Sequence, residues 1–313
     1  MKMSKNSNTI TKRKKLNSSQ WQLISLVVIP LLFVFVFSYI PMFGIIIAFK
    51  DYRYDMGIFG SEWVGLDNFL YFFKTNDFWN ITKNTLVMNL GFISIGMISA
   101  IALAVLFYEV HSRKAIKTYQ TLAIVPHFLS WVVVGYIGYA FLQPNNGIIN
   151  QVLEFFGIEG VDWYSTPAVW PVILIIVSVW KHVGMDCIIY YATMMGIDAS
   201  LYEAAALDGA NKWKQILHVT IPSLVPIIVI LAIMKVGNIF RADFGLFYQM
   251  TRDIGALYPT TDVLDTYIYR TMRVIGDMST SSAMGLLQSV VGFVLVVITN
   301  AITKKVDDSL ALF

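Results

Sequence analysis

Six apolar stretches, each long enough to cross a bilayer, constrain this chain more than any other feature. A helix needs about 20 mainly apolar residues to span the hydrocarbon core of a membrane. The stretches lie at roughly 21–49, 85–108, 119–142, 168–196, 217–240 and 283–302. Lipid offers no partners for open backbone groups, so helices are the usual spanning element. The sequence therefore predicts an all-α polytopic membrane protein with six transmembrane helices.

The composition agrees with a membrane protein. Apolar residues make up 57% of the 313 positions and charged residues only 14%, whereas soluble domains carry about 25% charged residues. The net charge of +3 is too small to indicate nucleic-acid binding. The single cysteine, Cys187, excludes an internal disulfide and a cysteine metal cluster.

Proline positions and loop charges predict how the spans are arranged. The first and fourth stretches exceed one crossing, and Pro30, Pro41 and Pro126 are candidate kinks. Of the 23 Lys and Arg residues, 13 fall on the side of the N-terminus and 8 on the other side. By the positive-inside rule, the tails 1–20 and 303–313 are then both cytoplasmic. The apolar stretch after the basic start is too long for a cleavable signal peptide.

Motifs for bond chemistry are absent from the sequence. There is no Gly-x-x-x-x-Gly-Lys-Ser/Thr loop for nucleotide phosphates, no His-Glu-x-x-His pair and no Gly-x-Ser-x-Gly elbow. A chain of this kind that moves a solute against a gradient takes its energy from a partner or from an ion gradient.

The loop at about 197–222 carries the strongest local signal. Asp198 is a candidate N-cap for a short helix, and Gly209 is placed to end that helix in a left-handed conformation. A second helical run over 211–218 leads into the fifth span. The sequence predicts a short helix–turn–helix on the cytoplasmic side, with Glu203 available to pair with a basic residue of another protein.

This loop resembles the signature of binding-protein-dependent importer permeases, which reads Glu-Ala-Ala, Asp-Gly-Ala and then a hydrophobic residue with proline. The resemblance implies a type I importer permease fold, in which the loop is the coupling helix that docks on a separate ATPase. It assigns coupling to Glu203, Ala204, Ala205, Asp208 and Gly209. The alternative is a loop whose small residues only permit a tight turn.

Further segments resemble the sugar permeases, in particular the branch that takes up polysaccharide-derived oligosaccharides such as those of alginate or pectin. They include Pro41-Met42-Phe43-Gly44, Val64-Gly65-Leu66-Asp67-Asn68-Phe69, and the runs 240–248 and 261–270. The resemblance implies a second related permease, two copies of an ATPase that bind ATP and Mg²⁺, and an extracellular solute-binding protein. This chain itself then needs no cofactor and lies in a bacterial cell membrane.

Ionisable residues inside the predicted spans are candidates for the substrate path, because such groups usually face a cavity or a partner helix. Three lie in the fourth span, and Lys235 and Asn238 share a face of the fifth. His182 and Asp186 are four residues apart and could hydrogen-bond. The alternative is that these groups join helices or permease subunits. The full set of candidates, with aromatic residues that could stack on a sugar, is Lys181, His182, Asp186, Lys235, Asn238, Tyr190, Tyr191, Tyr248 and Tyr267.

Two readings and one hypothesis stay open from the sequence. A proton-coupled secondary transporter of a small solute would use His182 and Asp186, although its expected inverted repeat is not visible. A membrane-embedded glycan enzyme would need a catalytic constellation that the sequence does not offer.

The outer loop at about 241–280 is long for a connector. We expect it to meet the binding protein through Asp262, Asp265 and Arg270.

Overall fold

The computed structural model describes residues 17–306 and residue 311, and this part of the chain is nearly all helical. The helices are α1 (Ser18–Val34), α2 (Gly57–Gly60), α3 (Asp67–Lys74), α4 (Phe78–Tyr108), α5 (Arg113–Ile124), α6 (Trp131–Leu142), α7 (Ile148–Phe155), α8 (Trp170–Met194), α9 (Ala199–Leu207), α10 (Lys212–Gln215), α11 (Ile221–Val236), α12 (Phe244–Thr251), α13 (Tyr258–Thr261), α14 (Leu264–Arg270) and α15 (Met278–Val306). Two short strands, β1 (Lys50–Asp51) and β2 (Glu62–Trp63), pair antiparallel with Lys50 opposite Trp63.

The predicted spans are confirmed as helices, one of them in two pieces. Among the described residues, the continuous stretches long and apolar enough to cross a membrane are Trp21–Phe49, Phe78–Tyr108, Pro167–Met194, Lys212–Val236 and Met278–Lys305. A sixth span forms if the bent pair Arg113–Phe128 and Trp131–Leu142 is one crossing. The second and sixth spans begin earlier than predicted, and the fifth ends at Val236 rather than at about 240.

The first span stands apart from the bundle. Its α-helix contains Pro30 and continues through a π-turn, Phe35–Tyr39, into a 3-10 helix, Ile40–Phe49, that has Pro41 in its first turn. Every side chain from residue 21 to residue 43 is exposed. Only the 3-10 segment packs on the rest of the chain, against α15.

The centre of the bundle is the long contact between α4 and α8. Small side chains allow close packing, as is usual for membrane helices, and Ala100 and Ala104 of α4 are fully buried. Gly184 of α8 lies against the carbonyl of Ala123 in α5, where an added Cβ would overlap the carbonyl oxygen. Glycine is therefore required at this helix crossing.

The third span is broken rather than kinked. The predicted single run over 119–142 becomes α5, a 3-10 turn Val125–Phe128 that contains Pro126, and α6, with a bend of 95°. Ser130 caps α6 by accepting a hydrogen bond from Val133 N at 3.3 Å. The break sends α6 across to α12, while α5 packs on α8.

The predicted outer loop is a folded part of the domain. It contains α12, α13 and α14, and Phe247 and Met250 of α12 are buried in a core cluster with Trp170 of α8 and Met88 of α4. We call this end of the bundle the α12 end. The opposite end carries the segment 195–211 and is called the α9 end.

Candidate functional site

A cavity of about 470 Å³ opens between α4, α8, α11 and the stretch that leads into α12. Its ionisable and amide groups converge from all four of these segments, which no single stretch of sequence could show. They are Asn89, His182, Asp186, Lys235, Asn238, Arg241 and Asp243. Because polar groups at membrane depth usually line a path or join helices, this cavity is the candidate substrate path.

One ion pair crosses the cavity wall. Lys235 Nζ of α11 donates a hydrogen bond to Asp186 Oδ2 of α8 at 3.1 Å, and each side chain is about a third exposed, at 36% and 34%. The sequence predicts both residues on the path but in separate pairs, Asp186 with His182 and Lys235 with Asn238. The sequence feature that could have predicted this pair is the presence of opposite charges in two different spans.

His182 and Asn238 line the same cavity, but each side chain lies within hydrogen-bond distance of a backbone carbonyl four residues earlier in the chain. His182 Nδ1 lies 3.0 Å from the carbonyl oxygen of Ser178, so the possible hydrogen bond to Asp186 is not formed. The imidazole ring packs against Trp131, with ring centroids 5.8 Å apart. Asn238 Nδ2 donates to the carbonyl of Met234 at 3.1 Å.

Arg241 and Asp243 were missed from the sequence because they lie beyond the predicted fifth span. Arg241 Nη2 donates to Ser289 Oγ at 3.2 Å, and no carboxylate of the described residues is within ion-pair distance of it. Asp243 accepts from Trp131 Nε1 at 2.9 Å and caps α12 by accepting from Leu246 N at 3.3 Å. The signal for Asp243 was an aspartate directly before a helical run.

Lys181 lies outside the cavity, in contrast to the prediction that placed it on the path. Its buried ammonium donates to the carbonyls of Pro126, His127 and Leu129, at 3.4, 2.8 and 2.5 Å. The Pro126 carbonyl still accepts from Leu129 N at 3.2 Å, while the carbonyls of His127 and Leu129 lie at the break in the third span. Open backbone groups at membrane depth need a donor. The structure therefore gives Lys181 a structural role.

The candidate aromatic residues also lie outside the cavity. Tyr190 is buried beside Leu224, its hydroxyl has no hydrogen-bond partner among the described residues, and Tyr191 packs against the same cluster. Tyr267 packs on Phe72, with ring centroids 5.8 Å apart. Tyr248 faces a separate shallow pocket between α6 and α12.

The α9–α10 loop has the local geometry that its sequence predicts. Asp198 caps α9 by accepting from Ser200 N at 2.9 Å, and this hydrogen bond holds the pKa of Asp198 below its usual value. Gly209 ends the helix at φ +77°, a conformation that suits glycine. Asn211 caps α10 by accepting from Lys214 N at 3.0 Å.

The outer face of this loop is open. Glu203 is exposed and makes no hydrogen bond or ion pair within the described part of the chain, and Ala205 is half-buried; Ala204, Asp208 and Gly209 are exposed. Leu207 is 90% exposed and Trp213 is 73% exposed. Two apolar side chains this open beside an unpaired carboxylate fit a surface that another protein covers.

The same loop is tied to two spans. Tyr202 of α9 and Thr220 at the base of α11 share a hydrogen bond at 2.9 Å, and the Tyr202 ring packs on Tyr108 at the end of α4. Lys212 Nζ lies 3.0 Å from Glu109 Oε2. These contacts join the α9–α10 loop to α4 and α11, which both line the cavity.

The charged residues expected to meet a binding protein hold the α12 end together instead. Arg270 pairs with Asp262 at 2.6 Å and with Asp253 at 3.2 Å. Burial raises the pKa of Asp262, against the lowering effect of Arg270. Asp265 accepts from Ala242 N at 2.7 Å, and burial raises its pKa also. These carboxylates are internal and do not offer a docking surface.

Comparisons with known proteins agree with this arrangement. Residues 93–308 match the family described as binding-protein-dependent transport system inner membrane component. The polygalacturonan/rhamnogalacturonan transport system permease protein YteP of Bacillus subtilis is 35% identical over 94% of this chain and 92% of its own length. Protein LplB of Bacillus subtilis is 34% identical over 93% and 91%.

Solved structures give the same fold. A chain of a bacterial ABC transporter involved in the import of the acidic polysaccharide alginate superposes with a TM-score of 0.83 at 31% identity, over 92% of this chain and 97% of that one. The same kind of transporter in complex with an alginate pentasaccharide-bound periplasmic protein gives a TM-score of 0.82. The family is a transport component rather than an enzyme. This chain therefore belongs to the family of inner membrane permeases of binding-protein-dependent transport systems.

Proposed function

We propose that this chain is one half of the pore of an ATP-driven importer, and that an extracellular solute-binding protein delivers a sugar or oligosaccharide to it. One observation carries the proposal: the exposed, capped helix α9, with Glu203 unpaired, is tied to spans that line a polar cavity. The names of similar permeases, which refer to polygalacturonan, rhamnogalacturonan and alginate, favour an oligosaccharide.

The partner at the α9 end is a separate ATPase, present in two copies, which binds ATP and Mg²⁺. Glu203, Ala204, Ala205, Asp208 and Gly209 form the coupling surface together with the exposed Leu207 and Trp213. Glu203 pairs with a basic residue of the ATPase, and the small side chains let α9 lie deep in its groove. Closure of the ATPase dimer moves α9 and, through Tyr202, the base of α11.

A second, related permease supplies the other half of the pore. The exposed first span supports this partner, because no other segment of the described residues covers residues 21–43. Lipid covers part of this surface and the second permease the rest. Both termini face the cytoplasm, as the loop charges favour.

The substrate passes through the central cavity by alternating access. His182, Asp186, Lys235 and Asn238 offer donors and acceptors to sugar hydroxyls. Weak contacts of this kind suit a carrier, since tight binding would slow release. Proton-coupled transport gains no support from the geometry, because no hydrogen bond joins His182 to Asp186: His182 Nδ1 lies against the carbonyl of Ser178, and Asp186 pairs with Lys235.

The test is a mild-detergent purification of the tagged chain from its native membrane, comparing wild type with Gly209→Val. Gly209 has φ +77° and open space around its Cα, and Gly157 at the α12 end has φ +76° and equally open space. Valine at either position strains the backbone alike, so Gly157→Val is the matched control.

We expect wild type and Gly157→Val to bring down an ATPase and a second permease, and Gly209→Val to lose the ATPase alone. Loss of the ATPase from both variants would show a general effect of strain. Absence of both partners from wild type would contradict the importer function.

A further inference from the structure

A shallow pocket of about 170 Å³ lies on the seam between α6 and α12, and it shares no lining residue with the central cavity. Four of its side chains carry polar groups: Tyr136, Tyr248, Gln249 and Arg252. Its size suits a single sugar ring rather than a chain. Of the residues that line this pocket, only Tyr248 is among the candidates for sugar stacking that the sequence offers.

The floor of the pocket is backbone. A Cβ added to Gly135 of α6 would lie 2.8 Å from the carbonyl oxygen of Gln249 in α12, so the two helices meet there without side chains between them. Tyr136 of α6 and Tyr248 of α12 both line the pocket. Tyr136 is 67% exposed, which leaves its ring open to a ligand.

Arg252 is held in place by a strained turn. Arg252 and Asp253 both have positive φ, 56° and 52°, which costs roughly 1–2 kcal/mol for each residue other than glycine. Asp253 anchors the turn by accepting from Tyr258 Oη at 3.0 Å and from Arg270 Nη1 at 3.2 Å. Strain maintained by such contacts occurs often at ligand sites.

The strained turn aims the Arg252 guanidinium at α6. The guanidinium carbon lies 4.3 Å from the centroid of the Tyr139 ring. Among the described residues, no carboxylate lies within ion-pair distance of it. The group is thus positioned by stacking, while no carboxylate in the described part of the chain pairs with its N–H donors.

The aromatic wall is rigid as well. Tyr248 stacks on Phe244 one helical turn earlier, with ring centroids 5.0 Å apart, and meets the edge of Tyr269 of α14 at 5.2 Å. An aromatic ring fixed on two sides loses little further freedom when a ligand covers it.

We propose that this pocket is a second saccharide subsite, beside the central cavity, for one ring of an oligosaccharide. The apolar face of the sugar ring packs on Tyr136 and Tyr248, and its oxygen substituents accept hydrogen bonds from Arg252 and Gln249. The subsite rests on the proposed sugar-import function and deepens it. It favours substrates long enough to reach beyond the cavity.

The test uses the complete transporter, assembled with its ATPase, second permease and binding protein in lipid discs. The probes are size-fractionated oligosaccharides from partial digests of pectin and of alginate. Sugar-stimulated ATPase activity gives a KM for each fraction. The variants are Arg252→Gln and Tyr248→Ala, with Tyr248→Phe as a variant that keeps the stacking. Arg273→Gln, at another exposed arginine of the α12 end, is the control for loss of charge.

We expect Arg252→Gln and Tyr248→Ala to raise the ratio of KM for the long fractions to KM for the shortest active fraction about tenfold. This corresponds to about 1.4 kcal/mol. Tyr248→Phe and Arg273→Gln should keep the wild-type ratio. The ratio compares lengths within one sample, so a variant that assembles less well still gives a valid value.

Three results would overturn the subsite. The first is an unchanged ratio in Arg252→Gln and Tyr248→Ala. The second is a photo-crosslink from position 136 to the second permease whose yield is unchanged when sugar is added. That face would then be a permanent contact between the two permease subunits. The third is that no fraction stimulates the wild-type transporter, in which case the proposed sugar-import function fails with it.

Discussion

Lys235 Nζ lies 3.1 Å from Asp186 Oδ2, and this ion pair joins α11 to α8 at the wall of the central cavity. Helix α11 follows directly on the α9–α10 loop, and α8 is the central helix of the bundle. The pair is therefore placed to sense a movement of α9 and to contact a solute in the cavity.

We predict that Asp186→Ala lowers transport more than it lowers assembly. The variant leaves the Lys235 ammonium, whose side chain is 36% exposed, without its carboxylate partner. For a pair that is about a third exposed, we expect a loss of about 1–3 kcal/mol of stabilising free energy, between the values measured for surface pairs and for buried pairs. The measurement is sugar-stimulated ATPase activity and uptake in proteoliposomes.

The control for this pair is Lys83→Ala, which removes an exposed lysine of α4. The reversed pair, Asp186→Lys with Lys235→Asp, should recover part of the activity lost in the single variants. Equal activity of Asp186→Ala and Lys83→Ala would show that the ion pair has no role in transport.

Lys181 stabilises the break in the third span, so we predict a marked loss of stability in Lys181→Met. Each buried carbonyl left without a donor costs about 1–3 kcal/mol. Lys181 donates to the carbonyls of His127 and Leu129, and also to that of Pro126, which keeps a second donor in Leu129 N. The midpoint of thermal unfolding in detergent should fall well below that of Lys117→Met, which changes an exposed lysine of α5. Equal midpoints would mean that water or other groups satisfy the break.

The buried pair Arg270–Asp262 gives a prediction with a pH dependence. Removal of one partner from a buried pair costs about 3–5 kcal/mol, so Arg270→Ala should unfold far more easily at neutral pH than Arg273→Ala. Burial already raises the pKa of Asp262 above its usual value. Without Arg270 its pKa rises further, so folded Asp262 takes up a proton at a higher pH.

The sign follows from linkage. A carboxyl whose folded pKa exceeds its unfolded pKa favours the folded state below the unfolded pKa, and this contribution is lost as pH rises through the folded pKa. The difference in unfolding midpoint between Arg270→Ala and wild type should therefore shrink as the pH is lowered from neutral towards the ordinary range of an aspartate. A difference that grows on acidification would contradict the assignment.

Local features of the fold could be predicted from the sequence, and features formed by distant residues could not. Span positions follow from apolar length, and the caps at Asp198 and Gly209 follow from residue type alone. Pro126 signalled a kink, but the break of 95° also needs the donors of Lys181, more than fifty residues away.

The same distinction holds at the candidate site. Lys235 and Asn238 are three residues apart at the end of α11 and in the turn that follows it, a local relationship, and both residues line the cavity. The pairing of Lys235 with Asp186 and the hydrogen bond from Ala242 N to Asp265 join separate segments. Sequence spacing carries no information about such contacts, which is why Asp265 was expected on an outer surface.

Coupling of α9 to a separate ATPase can be tested by a photo-crosslink from position 207 in native membranes. A photoreactive phenylalanine replaces Leu207, which is 90% exposed at the α9 end. In the control it replaces Phe59, which is 94% exposed and lies between strands β1 and β2. We expect position 207 to capture an ATP-binding protein and position 59 to capture none. Failure of position 207 to reach an ATP-binding protein, in membranes where the second permease is still recovered with the chain, would contradict coupling through α9.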